Sequence, residues 1–291
     1  MALRALARVI ASVPTSDGAG VRLRRSLGAT PQARLDPFLL FDEFGSDDPR
    51  DYLAGFPAHP HRGFEAVTYM LEGRMRHEDS AGHRGDLGPG DVQWMTAGRG
   101  IVHSEMPQQS DGRLRGFQLW LNLPAAEKMK PAAWRDIPAR DIPALEPAPG
   151  VCVRLIAGRL GETRGPVAGG ATDPYYLDLE LAAGASFAVP LPATHNAFVY
   201  AFEGDAEVGE AGGRTALARH AAGVLGAGDA VALRAGRAGA RVLVLAARPI
   251  GEPVVQYGPF VMNTRDEIEQ AIADYRAGRL GGSQARDAAA P

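Results

Sequence analysis

Two pairs of side chains in this sequence have the types and the spacing to bind one metal ion. His59 and His61 stand two residues apart, and so do His103 and Glu105. In a β-strand, residues two positions apart point to the same face, with Cα atoms roughly 6.5 Å apart. Two such pairs on neighbouring strands, about 4.8 Å apart, would bring three imidazoles and one carboxylate to one point. The sequence therefore predicts a site for a single transition metal ion.

The carboxylate of this site has a second candidate. Glu65 lies four residues beyond His61, and the pattern alone does not choose between Glu65 and Glu105. Three further histidines, His77, His83 and His220, lie in turn-rich polar segments, and we expect them to be solvated. A single His-x-His pair is more often incidental than metal-binding, so the prediction depends on the second pair.

Short apolar segments punctuated by turns carry these residues. The 291 residues include 36 glycines and 22 prolines, spread along the chain between apolar runs. That spacing predicts many strands joined by turns, and hence a sandwich or a barrel. In residues 116–123 apolar side chains alternate with Gln118, Trp120 and Asn122. For Gln118 and Trp120, a place lining the lumen and a place in the packed core are both open.

The strand-rich pattern occurs twice. Residues 67–73 (Val-Thr-Tyr-Met-Leu-Glu-Gly) correspond to residues 198–204 (Phe-Val-Tyr-Ala-Phe-Glu-Gly). Residues 88–92 (Gly-Pro-Gly-Asp-Val) correspond in the same way to residues 226–230 (Gly-Ala-Gly-Asp-Ala). Two matched segments in the same order indicate two degenerate copies of one unit.

A linker and a helix complete the predicted organisation. Residues 124–149 are rich in Pro and Ala with mixed charge, which favours an interdomain linker. We therefore expect an N-terminal metal-binding domain over residues 1–135 and a C-terminal domain over residues 136–291. Near the end of the chain, Thr264 and Glu267 are spaced as a capping box and predict a helix.

Composition excludes several classes of function. The formal net charge is -3, so no strong field draws the protein to nucleic acid or to an anionic membrane. No apolar run approaches the ~20 residues that cross a bilayer, and Arg4 and Arg8 interrupt a secretory apolar segment. The single cysteine, Cys152, excludes an intramolecular disulfide and fits a reducing compartment. We expect a cytoplasmic monomer.

Longer stretches resemble a known family. The arrangement of the two histidine-containing segments around Pro-Gly-Asp is similar to the cupin double motif. The resemblance to the pirin family is closer still, and it is carried by the amino-acid sequences of residues 35–44, 59–65, 88–106, 116–124 and 258–264. Examples are His-Pro-His-Arg-Gly-Phe-Glu at 59–65 and Gly-Pro-Phe-Val-Met-Asn-Thr at 258–264. The resemblance spans nearly the whole chain.

The resemblance implies an all-β fold of two cupin, jelly-roll type barrels packed face to face, with a short C-terminal helix. It also implies one metal in the N-terminal barrel, held by His59, His61, His103 and Glu105, with Glu65 left as a pocket group. Iron is the metal we expect, and nickel, manganese, cobalt, copper or zinc also suit the ligands. The C-terminal copy has a single histidine, His195, at the corresponding place, so the second barrel is expected to be structural.

Two functions follow from the resemblance. One is a metal-dependent dioxygenase of quercetin 2,3-dioxygenase type, acting on flavonol-like aromatic substrates. Glu105, or Glu65 if it faces the pocket, would accept the substrate proton, and Phe64, Trp94 and Met95 would hold the flat rings. The alternative is a redox-sensing regulatory protein that binds a transcription factor or a metabolic enzyme. A small aromatic substrate, or a protein partner, is accordingly expected.

Overall fold

The computed structural model describes residues 1–210 and 212–280, and this part of the chain consists mostly of antiparallel β-strands. The first twelve strands are β1 (Leu6–Ala11), β2 (Val13–Asp17), β3 (Val21–Arg25), β4 (Phe38–Ser46), β5 (Phe56–His61), β6 (Phe64–Glu72), β7 (Met75–Asp79), β8 (Arg84–Leu87), β9 (Val92–Thr96), β10 (Ile101–Pro107), β11 (Leu114–Asn122) and β12 (Ala133–Ile137). The next twelve are β13 (Ala144–Ala148), β14 (Val151–Ala157), β15 (Arg159–Leu160), β16 (Thr163–Arg164), β17 (Tyr175–Leu181), β18 (Ser186–Pro190), β19 (Asn196–Val208), β20 (Thr215–Leu217), β21 (Ala221–Leu225), β22 (Ala230–Ala247), β23 (Val255–Tyr257) and β24 (Phe260–Met262). The α-helices are α1 (Ala125–Lys128) and α2 (Arg265–Arg276), and the predicted all-β class is confirmed.

The chain folds as two compact units. The unit that carries His59, His61 and His103, here called the histidine unit, consists of Pro14–Leu23, Asp42–Ala139 and Gly251–Pro291. The other, called the companion unit, consists of Met1–Val13, Arg24–Phe41 and Arg140–Ile250. The sequence predicts one boundary, between residues 135 and 136. The central boundary lies close to it, but each unit also takes segments from the other half of the chain, and α2 belongs to the histidine unit.

The segment predicted to be a linker is structured in both of its halves. Strand β12 pairs with β9, with Trp134 opposite Met95. Strand β13 pairs with β14, with Leu145 opposite Val153. Both strands lie at the end of their sheets. Because prolines are tolerated at sheet edges, a Pro-rich composition does not distinguish an edge strand from a linker.

Two larger sheets form most of the histidine unit, and β23 pairs with β24 in a small third sheet. The longer has the strand order β12-β9-β6-β11-β4-β3-β2, and the shorter has the order β5-β10-β7-β8. Thr68 and Trp120 on the longer sheet contact Glu105 and His61 on the shorter one. The inner faces of the two sheets therefore face each other across a lumen. A core cluster of this unit consists of the buried side chains Val21, Leu23, Phe44, Tyr52, Met70, Met75, Leu87 and Leu114.

Helix α2 begins at the predicted capping box. The Thr264 hydroxyl accepts a hydrogen bond from the Glu267 backbone N–H at 3.3 Å, and Glu267 Oε2 accepts one from the Thr264 backbone N–H at 2.8 Å. These bonds satisfy two of the N–H groups that every helix start leaves without an intrahelical partner. Near the end of the helix, Asp274 forms an ion pair with Arg62, with the nitrogen and oxygen 2.9 Å apart. Arg62 directly follows His61, so the helix is tied to the end of β5.

The companion unit contains a nine-stranded sheet with the order β1-β21-β19-β22-β17-β14-β13, in which β18 also pairs with β22 and β20 with β19. One core cluster of this unit is mainly aliphatic, with Val153, Leu177, Val199 and Val244 among its fully buried side chains. His195 is buried and its Nε2 lies 2.9 Å from the Asp173 carbonyl oxygen. Across both units, none of the described helices is long and apolar enough to span a membrane.

Candidate metal centre

Strand register brings the predicted ligands together. Strands β5 and β10 are antiparallel neighbours, with His59 opposite His103 and His61 opposite Ile101. Strand β7 flanks β10 on its other side, with His77 opposite Glu105. Because opposite residues in a ladder share a face, these side chains all project from the inner face of the shorter sheet. The register therefore places the two i, i+2 pairs on one face of the shorter sheet.

The three histidines converge on one point. One ring nitrogen from each of His59, His61 and His103 lies within 4.8 Å of those of the other two. Their ring centroids are 4.4 to 4.9 Å apart. His61 and His103 are buried, whereas His59 is partly exposed. A single ion entering past His59 is therefore within reach of all three imidazoles.

Glu105 lies beside this cluster, in a second group that shares His103 with it. Its carboxylate lies within 4.8 Å of ligand nitrogens of His103 and His77. Glu105 Oε1 accepts a hydrogen bond from the Thr68 hydroxyl at 3.1 Å, across the lumen. Burial raises the pKa of Glu105, while His59 and the Thr68 hydrogen bond act in the opposite direction. A divalent cation beside this buried carboxylate would favour its charged form.

The hydrogen-bonding state of the rings fits a metal site. His59 Nδ1 lies 2.8 Å from the Pro57 carbonyl oxygen, to which it must donate, so Nε2 keeps its lone pair. Among the described residues, His61 Nδ1 and His103 Nε2 are buried without a hydrogen-bond partner. Leaving a buried polar atom unsatisfied costs about 1–3 kcal/mol. Metal coordination would satisfy these nitrogens, and we take the donor set to fit a divalent transition metal.

Burial favours the neutral form of His61 and of His103. It holds the pKa of His61 well below the usual value, with a smaller contribution from His59. It does the same to the pKa of His103, to which the neighbouring histidines also contribute. Only a neutral imidazole offers a lone pair to a metal, so these environments prepare both rings for coordination.

Glu65 does not join the cluster, which corrects the prediction that it could serve there as a catalytic group. Three residues separate Glu65 from Thr68 on β6, so the two side chains point to opposite faces of the strand. Thr68 faces the lumen, and Glu65 lies on the other side of the sheet. There its carboxylate accepts hydrogen bonds from Trp94 Nε1 at 3.1 Å and from the Thr96 hydroxyl at 2.7 Å.

The position of Glu65 gives a simple prediction. We expect Glu65→Gln to leave metal affinity within about twofold of wild type, because the change is outside the cluster and keeps one acceptor oxygen. The measurement is a competition titration with a chelator, made in parallel on Glu65→Gln and Glu105→Gln. A large loss of affinity in the Glu65 variant alone would show that Glu65, and not Glu105, supplies the carboxylate.

His77 is the residue that sequence reasoning missed. The sequence predicts a solvated side chain, but His77 is 1% exposed and its Nδ1 lies 3.2 Å from His103 Nδ1. Burial lowers the pKa of His77 to about 4, although Asp79 acts in the opposite direction. By contrast, the side chain of His83 is 67% exposed, as predicted. The available signal was the alternation of Met75, His77 and Asp79 along β7.

Aromatic side chains line the lumen beside the histidines. Trp120 lies across His61, with ring centroids 5.2 Å apart, and its ring is 4.3 Å from that of Phe64. Gln118, two residues before Trp120, contacts Thr68 at 2.8 Å and therefore also faces the lumen. Trp94 does not, because it bonds Glu65 on the other face, and its expected role in holding a substrate ring is wrong.

Comparisons with known proteins agree with this architecture. The Pirin family model matches residues 20–121, and the model of the pirin C-terminal cupin domain matches residues 176–281. A Pseudomonas aeruginosa protein provisionally named quercetin 2,3-dioxygenase is 55% identical over 271 residues, covering 92% of this chain and 94% of its own. A pirin-like protein of Caulobacter vibrioides is 50% identical over 282 residues, covering 96% of this chain and 100% of its own.

A solved structure supports the same relationship. The crystal structure of a quercetin 2,3-dioxygenase from Acinetobacter baumannii superimposes with a TM-score of 0.89 at 33% sequence identity, covering 97% of this chain and 99% of that one. Sequence and fold therefore agree over nearly the full length of the chain. The protein belongs to the pirin family of two-barrel cupins.

Proposed function

We propose that the protein is a metal-dependent dioxygenase of quercetin 2,3-dioxygenase type, with His59, His61, His103 and Glu105 as its metal ligands. The observation that carries this proposal is the convergence of the imidazoles of His59, His61 and His103, with the Glu105 carboxylate grouped beside them through His103. The dioxygenase names of the Pseudomonas relative and the Acinetobacter structure support the choice of reaction. Iron is the metal we expect there.

The donor set limits the chemistry. Three nitrogen ligands and one oxygen ligand suit first-row transition metals, and four protein ligands leave positions open on an ion that prefers six. A metal bound there would supply Lewis acidity, which lowers the pKa of a hydroxyl group on a flavonol-like substrate. All further contributions come from side chains of the lumen.

Glu105 and its partners are suited to receiving a proton. Glu105 Oε1 is held by Thr68, which leaves Oε2 for the proton of a substrate hydroxyl. The Thr68 hydroxyl has one hydrogen but lies within bonding distance of both Glu105 Oε1 and Gln118 Oε1. Turning the Gln118 amide places its NH₂ group toward Thr68, which then donates to Glu105. This chain of donors supports the ionised carboxylate.

Phe64 and Trp120 provide the surface for an aromatic substrate. The two rings lie at 31° to each other with centroids 4.3 Å apart, beside His61. Phe64 is fully buried and Trp120 is partly exposed, so the indole face is the one open to the lumen. Stacking of a flat ring on this indole would position the substrate next to the ligand cluster.

An oxygen-uptake assay tests the proposal. Protein freed of metal and reloaded with Fe(II), Ni(II) or Mn(II) is expected to consume dioxygen with quercetin and to release carbon monoxide in equal amount. His61→Ala, loaded in the same way, is the control for turnover by free metal. Metal analysis of the protein purified from its own host identifies the resident ion.

The negative outcome is equally informative. If no metal supports turnover above the His61→Ala control while the wild-type protein binds metal, the dioxygenase proposal is wrong for this substrate. The regulatory alternative then gains support, because the same cluster would hold a redox-active ion without turning over quercetin.

A further inference from the structure

We propose that His77 is a positioning residue that holds His103 in its Nδ1–H tautomer, so that the Nε2 lone pair of His103 faces the metal. The inference rests on the metal site of the proposed function. It concerns a residue outside the four ligands, and it does not depend on which substrate the protein turns over.

The contact between the two rings is direct. His77 Nδ1 and His103 Nδ1 are 3.2 Å apart, and the two residues are 1% and 2% exposed. Strands β7 and β10 run antiparallel, with His77 opposite Glu105 and Asp79 opposite His103, so register places His77 beside both ligands. Two neutral ring nitrogens at this separation share one hydrogen: one ring donates it and the other accepts it.

The ligand role of His103 decides which ring donates. If His103 Nδ1 were the acceptor, the proton of its neutral ring would sit on Nε2 and block that nitrogen as a ligand. Among the described residues, His103 Nε2 and His77 Nε2 are both buried without a hydrogen-bond partner, so the unpaired nitrogens alone do not select the donor, and the ligand role of His103 does. With His103 as donor, Nε2 keeps the lone pair that an ion bound by His59 and His61 would need. Metal-bound histidines usually donate their second ring N–H to an outer partner in this way.

The ring of His77 is itself fixed in place. The indole of Trp134 on β12 lies against it, with centroids 4.8 Å apart and planes at 62°. Trp134 Nε1 donates to Asp79 Oδ2 at 3.0 Å. Asp79 Oδ1 in turn accepts the backbone N–H groups of Ala81 and His83. The turn after β7 thus fixes the position of the Trp134 indole, and the indole packs against the His77 imidazole.

Two replacements of His77 separate positioning from packing. In His77→Asn the side-chain oxygen lies close to the place of Nδ1 and can accept the His103 proton, whereas His77→Leu fills the space with no acceptor. Loss of an outer partner typically lowers metal affinity 10–100-fold. We expect that loss for His77→Leu, and a loss of no more than about threefold for His77→Asn, in chelator competition with Ni(II) or Mn(II).

Nuclear magnetic resonance of the metal-free protein gives an independent measurement. With ¹⁵N-labelled histidine, the His103 ring, identified by its absence in His103→Gln, is expected to show the Nδ1–H tautomer in wild type and in His77→Asn. In His77→Leu the Nε2–H tautomer, which free neutral imidazole side chains favour, should appear.

Several results would overturn the inference. These are equal losses of affinity in the Leu and Asn variants, no loss in either, or an Nε2–H tautomer at His103 in wild type. Metal binding without quercetin turnover overturns the proposed reaction and leaves the role of His77 intact. If the wild-type protein binds none of the metals, the proposed site and this inference are both wrong.

Discussion

Replacing His103 with alanine is expected to lower the affinity for a divalent transition metal by more than about 100-fold, a larger loss than an outer partner typically causes. His103 is central to the cluster, since its ring lies 4.4 Å from that of His59 and 4.9 Å from that of His61. Its Nδ1 also lies 3.2 Å from His77 Nδ1. No other nitrogen on β10 can replace its Nε2, because the flanking residues on the same face are Ile101 and Glu105.

The effect of His103→Ala can be measured through stability. A ligand that binds only the folded state at 1,000 times its dissociation constant adds about 4 kcal/mol to the free energy of unfolding. For a protein of this size, that corresponds to a rise of about 10 °C in the melting temperature of the histidine unit. We expect Ni(II) or Mn(II) to produce this rise in wild type and to leave His103→Ala almost unchanged, in thermal unfolding followed by circular dichroism.

His83→Ala is the matched control, because it also removes one histidine but at a position outside the ligand cluster. Its side chain is 67% exposed and pairs with Asp79 outside the ligand cluster. The metal-induced rise in melting temperature should therefore match that of wild type in this variant. An equal rise in His103→Ala and wild type would mean that the ion binds elsewhere, and the assignment of the ligands would be wrong.

Alternation along single strands explains why the ligand pairs could be predicted from the sequence. A period of two is a property of the extended backbone, so His59 with His61, and His103 with Glu105, share a face wherever the strand is placed. Strand β10 then needs only to lie beside β5, as it does. The start of helix α2 at Thr264 could also be predicted from the sequence, because a capping box is a local interaction.

The same alternation fails for Glu65, for a local reason. His61 ends β5 and Phe64 begins β6, and between them the chain turns at Gly63, which has a φ of +90°. Counting four residues from His61 therefore crosses a turn, after which the two-residue period starts again on another sheet. Glu65 consequently lies on the face away from the cluster.

What the sequence does not show is the pairing of distant strands. Alternation puts His77 on the same face of β7 as Met75, but only the position of β7 beside β10 shows that this face lines the lumen. Strand β12 is hidden in the same way in a Pro- and Ala-rich segment until it pairs with β9. The interleaving of the two units also depends on long-range contacts, which no local pattern encodes.

Lys128 supports the chain next to the ligands, and its replacement is expected to have the largest effect on stability. It is 1% exposed at the end of α1, and its ammonium donates to the Gly63 carbonyl at 2.6 Å, to Asn122 Oδ1 at 2.6 Å and to the Val261 carbonyl at 3.0 Å. Gly63 follows His61 by two residues, so these bonds join the turn after β5 to β11 and β24. Lys128→Met would leave three buried acceptors without this donor.

The effect of Lys128→Met is expected to depend on pH. Burial lowers the pKa of Lys128 to about 8 from its usual 10.5, while Glu252 and Glu267 act in the opposite direction. Between pH 8 and pH 10.5 the unfolded chain therefore binds more protons at this residue than the folded chain does. Stability of the wild type must then rise with pH across this window, and the contribution is lost as pH falls toward 8. Methionine does not titrate, so the variant lacks this rise.

Urea unfolding of both proteins between pH 7 and pH 10 measures the difference directly. At pH 7 we expect Lys128→Met to be about 2 kcal/mol less stable, because the lost hydrogen bonds outweigh the relief of burying a charge. Between pH 8 and pH 10.5 the stability difference between wild type and Lys128→Met should grow by at most about 3 kcal/mol, which is the free-energy equivalent of the pKa shift of Lys128. Groups that titrate equally in both proteins cancel in this difference.

Lys130→Met is the matched control, with the same replacement two residues along the chain. The Lys130 side chain is 34% exposed and pairs with Glu127 at 3.0 Å, and ion pairs of this kind contribute about 0–1 kcal/mol. A small loss in the control beside a large, pH-dependent loss in Lys128→Met would identify a buried ammonium as the link between Gly63, Asn122 and Val261. A deficit of equal size at pH 7 and pH 10 would instead mean that Lys128 is hydrated in solution, and the turn beside His61 would then be held by its backbone alone.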